Sequence, residues 1–201
     1  MRLDFRRPLT QLQVEAIQAS LARGEVLGIP TDTRYGLAAD PFSETGVSRV
    51  FELKGRPASK AMPVVVADLD QVVRLGARLE ARHRERLLAI WPAPLTVIVP
   101  VERPFPACGG STVAVRVPDH EGLRELLRRV GPLTATSANP GGQEPAASAD
   151  QVEAYFASRL SFLLDGGPSP DRGVSTLVDL SSASPRLVRS GPFQWSPTDW
   201  E

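Results

Sequence analysis

The sequence predicts an α/β protein of the α+β type: one domain built on a twisted, mixed parallel and antiparallel sheet flanked by helices. Three observations predict it. Short β-branched runs alternate with segments whose apolar residues recur at helical spacing. The rhythm is not a strict βαβ one: LTVIVPV and TVAVRVP are joined by a loop alone and so read as antiparallel neighbours. The 201 residues are 42% hydrophobic and 23% charged, a length and balance that suit a globular domain and exclude a disordered tail, a coiled coil or a collagen-like chain. There is no internal repeat and no interdomain linker. The expectation is therefore a single domain over residues 1–201, with a core over about 10–191 and a C-terminal extension over 192–201.

The elements follow in order. Residues 8–24 read as a helix, with Val14, Ile17 and Leu21 on one face and Gly24 at the stop. EVLGIP is a buried strand that ends in the polar stretch TDTRYG. Ser43 and Glu44 open a second helix through Val47, Val50, Phe51 and Leu53. MPVVVAD is a strand closed by Asp68 as a helix cap, and two helices follow, around residues 72–75 and 79–90. Trp91, Pro92, Ala93 and Pro94 break the second of them. LTVIVPV is a strand, ERPFPACGGS a loop and TVAVRVP a strand. Residues 120–130 form a helix, and PLTATSAN is a strand running into a loop. Ser148 caps a helix over 150–156, and short apolar segments at 160–164, 175–179 and 187–189 finish the chain. The tail GPFQWSPTDWE reads as a surface extension.

Charge and cysteine content narrow the function. Twenty-three basic residues cancel twenty-three acidic ones, so no global field holds nucleic acid. One cysteine, Cys108, excludes an intramolecular disulfide framework and a cysteine zinc site. His83, in an arginine-rich helix, reads as solvated, and His120 as the start of a helix; two distant histidines make a poor metal site. MRLDFRRPLTQLQ lacks the apolar core of a secretory signal, and no run approaches a membrane span, which points to the cytoplasm. Of the 23 basic residues only Lys54 and Lys60 are lysines. A lysine kept amid arginines reads either as chance or as a place where a compact ammonium matters.

Four polar segments sit at strand ends, where α/β proteins build sites. TDTRYG (31–36) reads as a capped turn or as the wall of a pocket. KGRPASK (54–60) is a solvated loop or an anion site, its three cations offering phosphate oxygens both point charges and a planar fork. In TVAVRVP (112–118), alternation puts Arg116 on the face opposite Val115 and Val117, facing solvent or a ligand. TSANPGG (136–142) is an Asx-type turn or a ligand loop. No P-loop, dinucleotide fingerprint or nucleophile elbow is present.

Taken in order, PTDTRYGLAADP, KGRPASKAMPVVV, WPAPLTVIVP, VAVRVPDH, TATSANPGG, STLVDL and LVRSG closely resemble the YrdC/TsaC family of threonylcarbamoyl-AMP synthases, over about residues 24–191. The family's KxR and SxN motifs stand here as Lys54, Arg56, Ser137 and Asn139. The resemblance implies a concave basic cavity and a nucleotidyltransferase that joins L-threonine, bicarbonate or CO2 and ATP into threonylcarbamoyl-adenylate and pyrophosphate. It implies Mg2+ held by the phosphates rather than by protein side chains. Partner proteins that modify tRNA would take the product, with weak tRNA or double-stranded RNA contact possible and no membrane.

By the same resemblance, Thr31, Thr33, Tyr35, Arg116 and Ser175 bind threonine. Lys54, Arg56, Lys60, Thr112, Ser137, Asn139 and Arg189 bind ATP, and Lys54, Arg56, Ser137 and Asn139 carry the chemistry. Some family members have a second C-terminal domain; the expectation for these 201 residues is the first domain alone. Departures from the pattern are Val65 in place of a histidine, Ala93 in WPAP, Ala61 after Lys60, Pro140 after TSAN, and Arg34. They leave open a double-stranded-RNA- or ribosome-binding use of the fold, or a paralogue that adenylates or carbamoylates another substrate.

Overall fold

The computed structural model describes residues 1–55, 61–170 and 173–200. The chain runs β1 (Arg2–Asp4), α1 (Gln11–Ala22), β2 (Leu27–Ile29), β3 (Gly36–Ala38), α2 (Glu44–Lys54), β4 (Val64–Val65), α3 (Leu69–Arg74) and α4 (Ala81–Ile90). It continues through β5 (Leu95–Pro100), β6 (Thr112–Arg116), α5 (Glu121–Val130), β7 (Leu133–Thr134), β8 (Thr136–Ser137), α6 (Ala149–Phe156), β9 (Phe162–Asp165), β10 (Thr176–Asp179) and β11 (Arg186–Arg189).

The expected mixed α/β class is present, with its strands divided between two sheets. One has the order β1-β9-β2-β3-β8 and the other β11-β10-β5-β6-β4-β7. Each mixes parallel and antiparallel pairs: β2 runs parallel to β9 and antiparallel to β3, and β5 parallel to β10 and antiparallel to β6. The antiparallel β5–β6 pair is the one that the loop-only connection predicts. The chain crosses between sheets at Ala135, since Thr134 pairs with Val64 of β4 while Thr136 pairs with Leu37 of β3. Two strands escape sequence reading. β1 is three residues long in a charged stretch, and β3 follows a turn so closely that its apolar run merges with it.

Local chemistry fixes the helix ends. Thr10 and Gln13 form a reciprocal capping box, with Gln13 N donating to Thr10 Oγ1 at 3.3 Å and Thr10 N to Gln13 Oε1 at 2.9 Å. The side chains of Ser43, Asp68, His120 and Ser148 each accept the backbone N–H three residues on. The end of α2 is set by Gly55, whose φ of +61° is left-handed and therefore suits glycine. Two apolar clusters hold the layers together. One joins Val14, Ile17 and Leu21 of α1 and Leu123 and Leu127 of α5 to Leu27, Ile29 and Leu164. The other sets Val47, Val50 and Phe51 of α2 against Val97, Val99, Val113 and Val115. Each fully buried side chain of this kind contributes about 1.5–3 kcal/mol.

Two expectations fail at the C-terminus. The tail is not wholly a surface extension: Phe193 N donates to Thr176 Oγ1 at 3.1 Å, Thr176 Oγ1 donates to Phe193 O at 2.9 Å, and Trp200 is only 3% exposed. His83 is not solvated; it is 2% exposed, its ring 6.1 Å from that of Trp200. Local charge pattern hides this, because the cover comes from residues more than a hundred positions away.

The buried His83 makes stability depend on pH. Burial holds its imidazole below the ordinary histidine value. The unfolded chain therefore binds a proton near pH 6.5 that the folded one resists, and stability falls as pH drops through that value. Urea unfolding at pH 7.5 and 5.5 is expected to show the loss, and His83→Leu to make the difference between the two pH values smaller. An unchanged difference in the variant would remove His83 as its source.

Candidate substrate hollow

The hollow opens over one face of the six-stranded sheet and beside the crossing at Ala135. Its volume is about 400 Å³. Alternation on β6 places Ala114 and Arg116 on its wall, while Val113 and Val115 point into the core. The period-2 reading of Arg116 is therefore right, and solvent is not what it faces: at 7% exposure the guanidinium lies under the 31–35 turn. Arg34, Lys54, Arg116 and Arg189 all line the cavity, and no carboxylate lines it among the described residues.

The 31–35 turn explains its own composition. Thr31 Oγ1 donates to Arg34 O at 2.7 Å and accepts from the N–H groups of Thr33 and Arg34 at 3.1 and 3.3 Å. The capped-turn reading of this segment holds, and the turn is also a wall of the hollow. Thr33 Oγ1 lies 3.0 Å from Thr31 Oγ1 and accepts from Arg116 Nη1 and Nη2 at 3.4 and 3.5 Å. Tyr35 is fully buried behind them. Its hydroxyl donates to Gly167 O at 2.7 Å and accepts from Gly166 N at 3.1 Å, and burial pushes its pKa up to about 12. Tyr35 is thus a neutral brace between the turn and the loop after β9.

Asp32 is the residue that sequence reasoning missed. Its Oδ1 stands 3.5 Å from Arg116 Nη1, its side chain is almost wholly buried, and neither carboxylate oxygen accepts a hydrogen bond. Burial lowers the Arg116 pKa, and the neighbouring charge of Arg189 adds to the fall, while Asp32 opposes it. The signal for Asp32 was a carboxylate set between two threonines in the TDTRYG segment, and only the fold brings Arg116 to it.

Further along the same sheet, the wall continues through the residues just before β10 and the end of β11. Arg189 Nε and Nη2 donate to Ser175 O at 3.2 and 2.9 Å, and Ser175 Oγ lies 2.7 Å from Thr96 Oγ1. Thr96, between Leu95 and Val97, is a wall residue that the sequence did not single out. Ser137 closes the cavity beside Lys54.

Of the residues expected in the site, Thr31, Thr33, Tyr35, Lys54, Arg116, Ser137, Ser175 and Arg189 converge on this one hollow. Asn139 and Thr112 are not on its wall: Asn139 is buried within the 137–143 turn, and Thr112 Oγ1 donates to Gly109 O at 3.3 Å, at the far end of β6 from Arg116. Arg56 and Lys60 lie outside the described residues. Val65, where part of the family has a histidine, gives the wall an apolar surface.

Fold and site together define a small-molecule-binding α/β domain whose cavity is suited to an anionic ligand. The chain belongs to the Sua5/YciO/YrdC family, whose model, described as "Telomere recombination", matches residues 19–191. A putative threonylcarbamoyl-AMP synthase of Mycobacterium tuberculosis is 36% identical over 183 residues, covering 89% of this chain and 83% of the relative. The threonylcarbamoyl-AMP synthase of Pseudomonas syringae is 34% identical over 182 residues, 89% of this chain and 97% of its own. The crystal structure of P. abyssi Sua5 complexed with L-threonine matches at a TM-score of 0.86 and 32% identity; the match covers 95% of this chain, which spans 57% of that longer protein. E. coli YciO, at 20% identity, shares the fold with a TM-score of 0.81.

Proposed function

We propose that this chain is an L-threonylcarbamoyladenylate synthase, with the hollow as its active site. The observation that carries the reading is the convergence of Arg116, Thr33, Ser175, Arg189, Lys54 and Ser137 on one cavity without a carboxylate on its wall among the described residues. Relatives named threonylcarbamoyl-AMP synthase, matched over most of the chain, support it.

The chemistry suits these residue types. The neutral amine of threonine attacks CO2 with loss of a proton, or bicarbonate with loss of water, and forms a carbamate. A carbamate oxygen then attacks the α-phosphorus of ATP, the bond to the bridging oxygen breaks, and pyrophosphate leaves. No side-chain nucleophile is required. The obstacle is repulsion, because a carboxylate and a carbamate must both approach a triphosphate. Arg116 takes the threonine carboxylate with its planar fork, a fit that lysine does not make. Thr33 and Ser175 supply hydroxyls beside it, with Thr31 and Tyr35 holding the turn. Ser137 and Arg189 belong to the nucleotide side, with Arg56 and Lys60 on the phosphates. Catalysis is then positioning and charge stabilisation, as in phosphoryl transfer generally.

Among the described residues no cluster of histidine, cysteine or carboxylate side chains is arranged to hold a metal ion. We infer that Mg2+, where it takes part, is held by the ATP phosphates and enters with ATP as substrate. Proteins that carry the threonylcarbamoyl group to tRNA belong to the same proposal.

The test is pyrophosphate release from ATP, measured with threonine and bicarbonate each present or omitted. Release that requires both is expected. Release supported equally by other amino acids would point to a paralogue with another substrate, and no release at all would overturn the reading.

A further inference from the structure

Lys54 carries an unexpected geometry. It is the last residue of α2 and only 2% exposed. Its Nζ donates to Ser137 O, to Asn139 O at 3.1 Å, to Asn139 Oδ1 at 3.2 Å and to Ser137 Oγ at 3.4 Å. An ammonium has three N–H donors, and the three nearer of these acceptors are enough to use them. The backbone adds a second tie, with Gly141 N donating to Lys54 O at 2.8 Å. A Cβ on Gly141 would lie 3.1 Å from that same oxygen, which is tighter than most real contacts.

Asn139 completes the unit. Its Oδ1 accepts from Lys54 and, at 2.6 Å, from Ser137 Oγ, while its Nδ2 donates to Pro140 O at 3.1 Å and Gln143 O at 2.6 Å. Both faces of the amide are engaged, so its orientation is fixed and only asparagine supplies acceptor and donors in that arrangement.

We propose that Lys54 and Asn139 are positioning residues that lock the 137–143 turn onto the end of α2, rather than phosphate ligands. The inference rests on the synthase reading and refines the role of one of its cations. The lock sets where Ser137 stands on the cavity wall and leaves phosphate contact to other groups. It also accounts for a lysine in a chain whose other basic residues, Lys60 apart, are arginines. A compact ammonium with rotatable donors fits converging carbonyls, and a planar guanidinium fork does not.

Isothermal titration of Lys54→Gln with ATP and with adenosine separates the two roles. Loss of a positioning group weakens both ligands by the same factor, about tenfold or more for buried charged hydrogen bonds, and Lys54→Arg does not restore it. A phosphate ligand weakens ATP alone, and Lys54→Arg retains ATP affinity; that result overturns the proposal.

Amide exchange in the ligand-free proteins gives a reading independent of activity. The Gly141 amide is expected to lose protection in Lys54→Gln and also in Asn139→Ala, where Lys54 keeps its charge. Unchanged protection in both overturns the lock. If wild-type protein binds neither ATP nor adenosine, the synthase reading fails, and the exchange result still decides the lock. Should Lys54→Gln fail to fold, Asn139→Ala carries both measurements, with equal weakening of ATP and adenosine expected and unchanged affinity for both overturning the proposal.

Discussion

Arg116→Met is expected to lower kcat/KM for threonine by a hundredfold or more and to destabilise the fold by about 3–5 kcal/mol. Both effects come from one buried pair. Arg116 is 7% exposed and Asp32 3%, yet their closest approach is 3.5 Å and neither Asp32 oxygen accepts a hydrogen bond. The guanidinium stays charged even where burial lowers its pKa, because its ordinary value is so high. Removing it leaves Asp32 as an uncompensated buried charge, which is why the stability cost is large. For a domain of this length that is a fall in Tm of roughly 6–20 °C.

The double variant Asp32→Asn/Arg116→Met separates the two effects. Removing both charges leaves neither member of this pair as an uncompensated ion, so most of the stability returns. Activity does not, because in the proposed function Arg116 is the fork for the threonine carboxylate. Urea denaturation and threonine-dependent pyrophosphate release read the two quantities. If Arg116→Met keeps the wild-type KM for threonine, Arg116 is not the carboxylate ligand. If the double variant is no more stable than Arg116→Met, the pair does not account for the loss.

Gly191→Ala is the second large effect, and it connects the closing LVRSG segment to the hollow. A Cβ at this position would lie closer than 3.0 Å to the nitrogen of Thr176, the oxygen of Val174 and the carbonyl carbon of Ser175. These are backbone atoms, which cannot swing aside as a side-chain tip can. The chain after β11 must lift, or the 174–176 segment must retreat. Either movement separates Arg189 from Ser175 O, to which it donates at 2.9 Å, and shifts Ser175 on the cavity wall.

Overpacking of this kind costs about 1–3 kcal/mol. A displacement near 1 Å in a positioning group costs about a hundredfold in rate. The expected result is therefore a modest drop in Tm with a loss of about a hundredfold in kcat/KM. Ser190→Ala, at an exposed neighbour, is the control and should change stability by no more than about 0.5 kcal/mol. Near-normal activity in Gly191→Ala would show that the strands absorb the methyl group without moving Ser175.

The legible parts of the fold share a physical basis: they are decided within a few residues. Ser43, Asp68 and Ser148 announce helix starts because each side chain caps an N–H three positions on. The β5–β6 pairing was readable because a loop without a helix leaves few alternatives. The alternation of Arg116 against Val115 was readable as well, since the pleat fixes which side chains share a face. The ordered motifs carried the family, and most of the site residues they implied do line one hollow.

What stayed hidden depends on distant chain. His83 read as solvated because its neighbours are charged, yet Trp200 covers it from the far end of the sequence. Asp32 and Arg116 are separated by 84 positions, so nothing local pairs them. Asn139 was expected to touch nucleotide, and its amide is taken up by its own turn and by Lys54.

By itself, then, the sequence determined the class of fold, the capped helix starts, the faces of the central strands and the family, because each follows from local geometry or from residue order. The tertiary structure alone decided which charges are buried, which of them meet, and which polar side chains line the hollow rather than bond within the protein. Burial and pairing are properties of surfaces brought together from different parts of the chain, and they exist only once the two sheets are in place.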